Sequence, residues 1–151
     1  MQRTIVLNND IAEVPQLSAF IDSFAEEADI DFSLTMSLNL AMEEAVVNVM
    51  QYAYPKGTNG KVEITAEISG DDIIFVISDS GVAFDPTAKA EVNVDMDVED
   101  RPIGGLGIHL VRKIMDSVNY ERKDGKNILT LHKQKTVGDT EIDFGELEGL
   151  V

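Results

Sequence analysis

The sequence contains no cysteine and no tryptophan, and only 6% of its 151 residues are aromatic. Without cysteine, disulfides and thiolate metal sites are excluded, and the absence agrees with a reducing compartment. No apolar run approaches the length of a membrane span. The apolar block that follows Met1-Gln2-Arg3 is too short for a signal peptide. We therefore expect a cytoplasmic protein that does not associate with membranes.

Positive charge is also scarce, because 12 Lys and Arg residues against 28 Asp and Glu residues give a formal net charge of -16. Such a field repels nucleic acid, so direct nucleic-acid binding is disfavoured. It repels nucleotides as well, so a nucleotide site would need local positive potential or a divalent cation. Most of the basic residues come late in the chain, and this region is the candidate for such a positive potential. Scattered charges of this kind are, however, more often solvated side chains on the protein surface. The late basic residues are Arg112, Lys113, Arg122, Lys123, Lys126, Lys133 and Lys135.

The length and the 44% hydrophobic content fit one domain with a continuous core. Hydrophobic periodicity predicts helices over residues 14–28, from an N-cap at Ser33 to about 53, and over 108–117. It predicts strands over residues 2–7, 61–68, 73–78, 118–122 and 127–132. This order predicts an α+β fold, a two-layer α/β sandwich whose mixed, mostly antiparallel sheet is covered on one face by three helices.

Two segments lack periodicity. Residues 79–105 contain many acidic residues and are interrupted by Gly81, Pro86 and Pro102. This composition predicts a long irregular loop, which is either a functional lid or disordered. Residues 136–151 predict an acidic tail beyond a domain that spans residues 1–135.

The second predicted helix carries a carboxylate and an amide at adjacent positions on one flank. At about 100° per residue, Glu44 and Asn48 lie only about 40° apart, whereas Glu43 lies about 140° from Asn48 and faces solvent. An Asn oxygen is a hard ligand suited to Mg²⁺, and a Glu can accept a proton from a hydroxyl or water. The alternative is an ordinary surface pair on a helix, since both residue types are mostly exposed.

Asp79-Ser80-Gly81 follows the predicted central strand. A carboxylate at the end of a strand can accept a hydrogen bond from an exocyclic amine such as the N6 of adenine. Gly81 would let the backbone turn beneath the flat base. A plain Asp-x-Gly turn explains the same residues equally well.

A glycine-rich stretch runs directly into the third predicted helix, as Ile103-Gly104-Gly105-Leu106-Gly107-Ile108. Exposed N–H groups and the dipole at a helix start attract anions. The stretch is neither a dinucleotide fingerprint nor a Walker A loop, so by itself it indicates only an anion site. Arg101, just upstream, could reach a terminal phosphate on lid closure, or it could be a solvated charge.

Together these motifs resemble the N, G1 and G2 boxes of the Bergerat-fold ATPase and kinase superfamily. The matching residues are Glu44-x-x-x-Asn48, Asp79-x-Gly81 and Gly105-x-Gly107, and the resemblance covers residues 2–133. The sequences Glu44-Ala45-Val46-Val47-Asn48, Phe84-Asp85-Pro86 and Gly104-Gly105-Leu106-Gly107-Ile108-His109-Leu110-Val111 look most like the anti-sigma-factor serine kinase branch.

The resemblance implies ATP and Mg²⁺ as cofactors. Asn48 would coordinate Mg²⁺, Glu44 would be the catalytic base and Asp79 would recognise adenine. Arg101 is expected as a second catalytic residue at the γ-phosphate, and Thr130 is expected to support Asp79 and the base. The remaining predicted nucleotide-binding residues are Gly81, Phe84, Gly104, Gly105, Leu106 and Gly107.

The branch also implies partners and an activity. Its members phosphorylate a serine on a small anti-anti-sigma protein, hold a sigma factor and form homodimers, so we expect a regulatory protein-serine kinase. Two alternatives remain open. One is a catalytically silent, nucleotide-gated module that binds a partner, and the other is a stand-alone catalytic domain of a sensor histidine kinase.

Overall fold

The computed structural model of the chain describes residues 1–88 and 105–135. Its helices are α1 (Val14–Glu27), α2 (Phe32–Tyr52) and α3 (Gly105–Ile114). Its strands are β1 (Gln2–Asn8), β2 (Lys61–Ser69), β3 (Asp72–Asp79), β4 (Ser117–Lys123) and β5 (Lys126–Gln134). The predicted order of strands and helices is confirmed.

The five strands form one sheet in the order β1-β2-β3-β5-β4, and each neighbouring pair is antiparallel. The expectation of a mixed sheet is therefore wrong for the strands that the structure describes. Two of the pairings, β2 with β3 and β4 with β5, are hairpins. Helix α3 precedes β4, and β5 then pairs antiparallel with β3. Strand β3 lies at the centre of the sheet, which explains its nearly continuous apolar sequence.

The core lies between one face of the sheet and the helices. Alternate residues of β3, namely Ile73, Phe75 and Ile77, are at most 1% exposed and point into this core. Phe75 meets Phe24 of α1 edge to face, with ring centroids 6.0 Å apart. The predicted two-layer α+β sandwich is thus confirmed. Other large side chains that are fully buried here are Leu7, Leu17, Ile21, Leu38, Met42, Ile64, Leu110 and Ile114.

Two helix starts differ from the sequence prediction. Helix α2 begins at Phe32, and its N-cap is Asp31, whose carboxylate accepts a hydrogen bond of 2.7 Å from the Leu34 N–H. Asp31 has extended backbone geometry, as an N-cap requires, so Ser33 is already helical. Helix α3 begins at Gly105, three residues earlier than predicted, so Gly105 and Gly107 lie in its first turn.

Residues 89–104 and 136–151 lie outside the described residues. The central part of the predicted lid, Arg101, Gly104 and the acidic tail belong to these segments, so those predictions stay predictions. Within residues 1–88 and 105–135, no helix is both long and apolar enough to cross a membrane.

Candidate functional site

Helix α2 brings two of the predicted site residues to the border between its buried and exposed faces. Its apolar side chains at Ala41, Ala45 and Val49 are at most 3% exposed. On the flank of this stripe Asn48 is buried, and Glu44, one turn earlier, is half-buried. The helical spacing had placed both side chains on this flank.

The pKa of Glu44 is raised above the usual value for a glutamate. Burial contributes most, because removing a carboxylate from water disfavours its charged form, and the negative charge of Glu43 adds to the effect. Glu43 itself is exposed. A carboxylate with a raised pKa holds a proton more firmly, which suits a group that must accept one.

Asp79 closes strand β3 on the face covered by the helices and is only 3% exposed. Its Oδ1 accepts hydrogen bonds from the Gly81 N–H at 2.8 Å and from the Asn127 side-chain amide at 2.9 Å. Its Oδ2 is buried and has no hydrogen-bond partner among the described residues. A buried oxygen left in this way costs about 1–3 kcal/mol, so this atom is available to a donor from a ligand.

Burial also raises the pKa of Asp79. Hydrogen bonds from Asn127 and Gly81 and the charge of Arg122 oppose this rise without cancelling it. Neighbouring groups therefore hold Oδ1 of this carboxylate by hydrogen bonds, while Oδ2 is buried away from water.

Asn127, at the start of β5, organises the segment that follows Asp79. Its side-chain N–H groups donate to Asp79 Oδ1 at 2.9 Å and to the Val82 carbonyl at 2.8 Å. Its Oδ1 accepts from the Phe84 N–H at 3.1 Å and from the Tyr120 hydroxyl. The amide therefore uses both donors and both lone pairs, which fixes its orientation.

Sequence reasoning missed Asn127, although a signal was present. Asn127 is 3% exposed and continues the buried alternation of Leu129 and Leu131 on β5. A single amide in an otherwise apolar alternation must find hydrogen-bond partners in the core. The sequence could not show which partners these are.

The prediction that Thr130 supports Asp79 is wrong. Side chains alternate between the two faces of a strand, and Leu129 and Leu131 occupy the face that is buried under the helices. Thr130 therefore points to the opposite face, away from Asp79. Asn127, three residues earlier, has the parity that reaches the carboxylate and pairs directly with Asp79 across the two strands.

Gly81 allows the chain after β3 to lie against the end of α2. A Cβ at this position would collide with the carbonyl of Ala53, which accepts a hydrogen bond of 2.7 Å from the Val82 N–H. The Gly81 carbonyl in turn accepts from Arg122 at 2.9 Å. The glycine thus provides close approach rather than an unusual φ angle.

Phe84, also predicted to bind nucleotide, is half-buried and stacks on Tyr52 of α2, with ring centroids 5.5 Å apart. Asp85 and Thr87 close a tight turn just beyond it, in which Asp85 Oδ1 accepts from the Thr87 N–H at 2.8 Å. Arg112 of α3 donates to the Thr87 carbonyl at 3.0 Å and so ties this turn to the third helix.

Helix α3 packs against α2. Its first turn contains Gly105, Leu106 and Gly107, and the N–H groups at a helix start can receive an anion. Among the described residues, no group of three or more His, Cys, Asp or Glu could hold a metal ion.

On one side of an antiparallel sheet, helix α2 thus carries a buried amide and a glutamate with a raised pKa. The end of the central strand carries a carboxylate oxygen that has no partner among the described residues. The family model described as "Histidine kinase-like ATPase domain" matches residues 7–133, and the chain belongs to this family.

Within that family the chain is similar to serine kinases. It is 32% identical over 98 residues to the serine/threonine-protein kinase BtrW of Bordetella bronchiseptica, covering 65% of this chain and 69% of that protein. It is 28% identical over 113 residues to the serine-protein kinase RsbW of Listeria innocua, covering 72% of each. The fold is shared with the crystal structure of the RsbU and RsbW domains of a Mycobacterium tuberculosis protein, at a TM-score of 0.66 and 15% identity, covering 95% of this chain and 35% of that one.

Proposed function

We propose that this chain is an ATP-dependent protein-serine kinase that acts as an anti-sigma factor and phosphorylates a small anti-anti-sigma protein. The observation that carries the proposal is the half-buried Glu44, with its raised pKa, on the same flank of α2 as the buried Asn48. The family supports ATP as the nucleotide, and the names of the relatives support a serine as the acceptor.

Asp79 recognises the adenine base. Its Oδ2 is buried and has no partner in the part of the chain that the structure describes, so it can accept a hydrogen bond from the exocyclic amine of adenine. A purine without that amine would leave the oxygen unsatisfied, and such a mismatch discriminates strongly between ligands.

The residues present fit a magnesium ion that is held mostly by phosphate. Asn48 offers a neutral, hard oxygen, which is the ligand type that Mg²⁺ prefers alongside phosphates and water. When bound, the ion would neutralise phosphate charge, which a chain with a net charge of -16 otherwise repels. The N–H groups in the first turn of α3 add to the hold on the phosphates, and we keep Arg101 as the residue that contacts the γ-phosphate.

In the reaction, the serine hydroxyl oxygen of the partner attacks the γ-phosphorus and its proton passes to the Glu44 carboxylate. The bond between the γ-phosphorus and the bridging oxygen breaks, and ADP leaves with that electron pair. The products are phosphoserine and ADP, and the proton on Glu44 then returns to water. Glu44 must be ionised at the start, so the reaction requires a pH above its raised pKa.

The proposal is tested by incubating the protein with labelled ATP and candidate partner proteins. We expect transfer of an acid-stable phosphate to a partner serine. Glu44→Gln should reduce the rate by about 100-fold or more, because the amide cannot accept the proton, while ATP affinity changes little. Glu67→Gln, an exposed substitution on β2, is the matched control and should keep the full rate.

Other outcomes distinguish the alternatives. Tight ATP binding with no transfer to any partner would favour a nucleotide-gated binding module, and acid-labile phosphate on a partner would favour a histidine kinase. Equal rates for wild type and Glu44→Gln would contradict the role of Glu44 as the base.

A further inference from the structure

Tyr54 connects three segments that surround the Asp79 turn. It follows the end of α2 and is only 7% exposed. Its hydroxyl donates to the Lys61 carbonyl at 2.6 Å, at the start of β2, and accepts from the Ser80 N–H at 3.1 Å, just after β3. One side chain thus satisfies a backbone acceptor on β2 and a backbone donor in the turn just after β3.

The neighbouring residue holds the other side of the same turn. The Ala53 carbonyl accepts from the Val82 N–H at 2.7 Å. Gly81 lies between the two attachment points, and its lack of a Cβ lets the backbone approach Ala53. Two consecutive residues at the end of α2 therefore hold residues 80 and 82 on either side of Gly81.

Gly60 determines where the Tyr54 ring can lie. A Cβ built on Gly60 would overlap the ring carbons of Tyr54, including Cδ1 at 2.6 Å. Gly60 does not have a positive φ angle, and the three atoms nearest to the added Cβ all belong to the Tyr54 ring, so an alanine would collide first with that ring. The ring lies directly against the Gly60 backbone, and this contact fixes the position of the hydroxyl.

We propose that Tyr54 is a positioning residue for base recognition, which sets the place of Asp79 Oδ2 relative to Asn48. Asn48 and Tyr54 are six positions apart at the same end of α2, so the helix and the turn form one connected unit. The inference rests on the proposed function, because it assumes that Asp79 recognises adenine. It assigns Tyr54 no contact with the nucleotide.

Two variants test the inference through different atoms. Tyr54→Phe keeps the ring and removes the hydroxyl, and Gly60→Ala keeps the hydroxyl and displaces the ring. The measurement is the ratio of dissociation constants for ATP and for purine riboside triphosphate, which lacks the exocyclic amine. We expect wild type to favour ATP and each variant to lose about tenfold of this preference. KM for ATP should rise while kcat at saturating ATP stays unchanged.

Ser37→Ala is the matched control, because it removes a buried hydroxyl from the same helix, bonded at 3.3 Å to the Ser33 carbonyl. It should leave the nucleotide ratio unchanged. If both Tyr54→Phe and Gly60→Ala keep the wild-type ratio, the positioning role is overturned while the proposed function stands. If wild type itself does not distinguish the two nucleotides, base recognition by Asp79 fails and the inference fails with it.

Discussion

Strand β3 has an aspartate at each end, and the two carboxylates differ in almost every respect. The side chain of Asp72 is 50% exposed, and its Oδ1 lies 2.8 Å from Nε2 of His132. Asp79 is 3% exposed, and one of its oxygens has no partner among the described residues. Burial raises the pKa of Asp79 in spite of the hydrogen bonds that it accepts.

The two ends of the sheet as a whole differ in the same way. Near Asp72, the carboxylate of Asp116 accepts from the Gln134 N–H at 2.7 Å and lies 3.4 Å from the Lys133 ammonium. Each of these groups has a partner or is in contact with water. At Asp79, neighbours hold one carboxylate oxygen, while the other is buried and accepts no hydrogen bond from any described residue. An unsatisfied buried oxygen destabilises the fold, and of the two ends of β3 only the Asp79 end has one among the described residues. This difference supports the proposal that the nucleotide binds at the Asp79 end.

The largest effect is expected from Asp79→Asn. ATP affinity should fall by about 100-fold, because the amide can keep its oxygen toward Gly81 and Asn127 only by placing an N–H₂ where a hydrogen-bond acceptor is needed. The melting temperature should stay equal or rise. A raised carboxyl pKa means that the fold favours the neutral form, so the stability it contributes is lost as pH rises through that pKa. Calorimetric titration and thermal unfolding at neutral pH measure the two effects.

Asp72→Asn, at the opposite end of the same strand, is the control. It should leave ATP affinity unchanged and alter stability by less than about 1 kcal/mol, because the contact with His132 is largely exposed to solvent. A comparable loss of ATP affinity in both variants would remove the distinction between the two ends.

An intermediate effect is expected from Asp116→Ala, and on stability alone. The Lys133 side chain is 5% exposed, so removal of Asp116 would leave a buried ammonium without this carboxylate. We expect a loss of about 1–3 kcal/mol in the free energy of unfolding. ATP affinity should not change, since this turn lies at the far end of the sheet. Chemical denaturation with a parallel binding measurement tests both statements.

Replacing both partners sharpens that result. The double variant Asp116→Ala and Lys133→Met removes the charge that Asp116→Ala leaves behind, so it should recover part of the lost stability. A double variant less stable than Asp116→Ala would show that Lys133 contributes through some other contact.

The smallest effect is expected from Glu43→Gln. The negative charge of Glu43 is the second cause of the raised pKa of Glu44, after burial. Without it, that pKa falls, so Glu44 stays ionised at lower pH and the acid side of the rate profile moves to lower pH. The maximal rate should be retained. A shift toward higher pH would contradict the assignment of Glu44 as the base.

Local pattern was sufficient for most of the fold. Apolar residues at helical spacing predicted the three helices, and strict alternation predicted β2, because each depends on residues close together in the chain. The same periodicity placed Glu44 and Asn48 on one flank of α2. The predicted N-cap of α2 was wrong, because Asp31 rather than Ser33 caps the helix. Asp and Ser are both good N-cap residues, so residue type alone could not decide between them.

The site itself depended on contacts between distant parts of the chain. Asp79 and Asn127 are 48 positions apart and meet because β3 pairs with β5 in a register that places them opposite each other. A shift of one residue in that register would exchange the faces of Asn127 and its neighbour. This parity is also the reason that Thr130 was wrongly assigned.

The chain's own residue pattern thus predicted the elements, the acidic character and the candidate chemistry of Glu44, Asn48 and Asp79, since these follow from short spacings and residue types. Tertiary structure alone decided that Asn127 supports Asp79 and that the end of α2 holds the turn around Gly81. It also decided that, within residues 1–88 and 105–135, one oxygen of Asp79 stays buried without a partner. Strand register and helix docking bring together residues far apart in sequence, and no local propensity encodes which of them will meet.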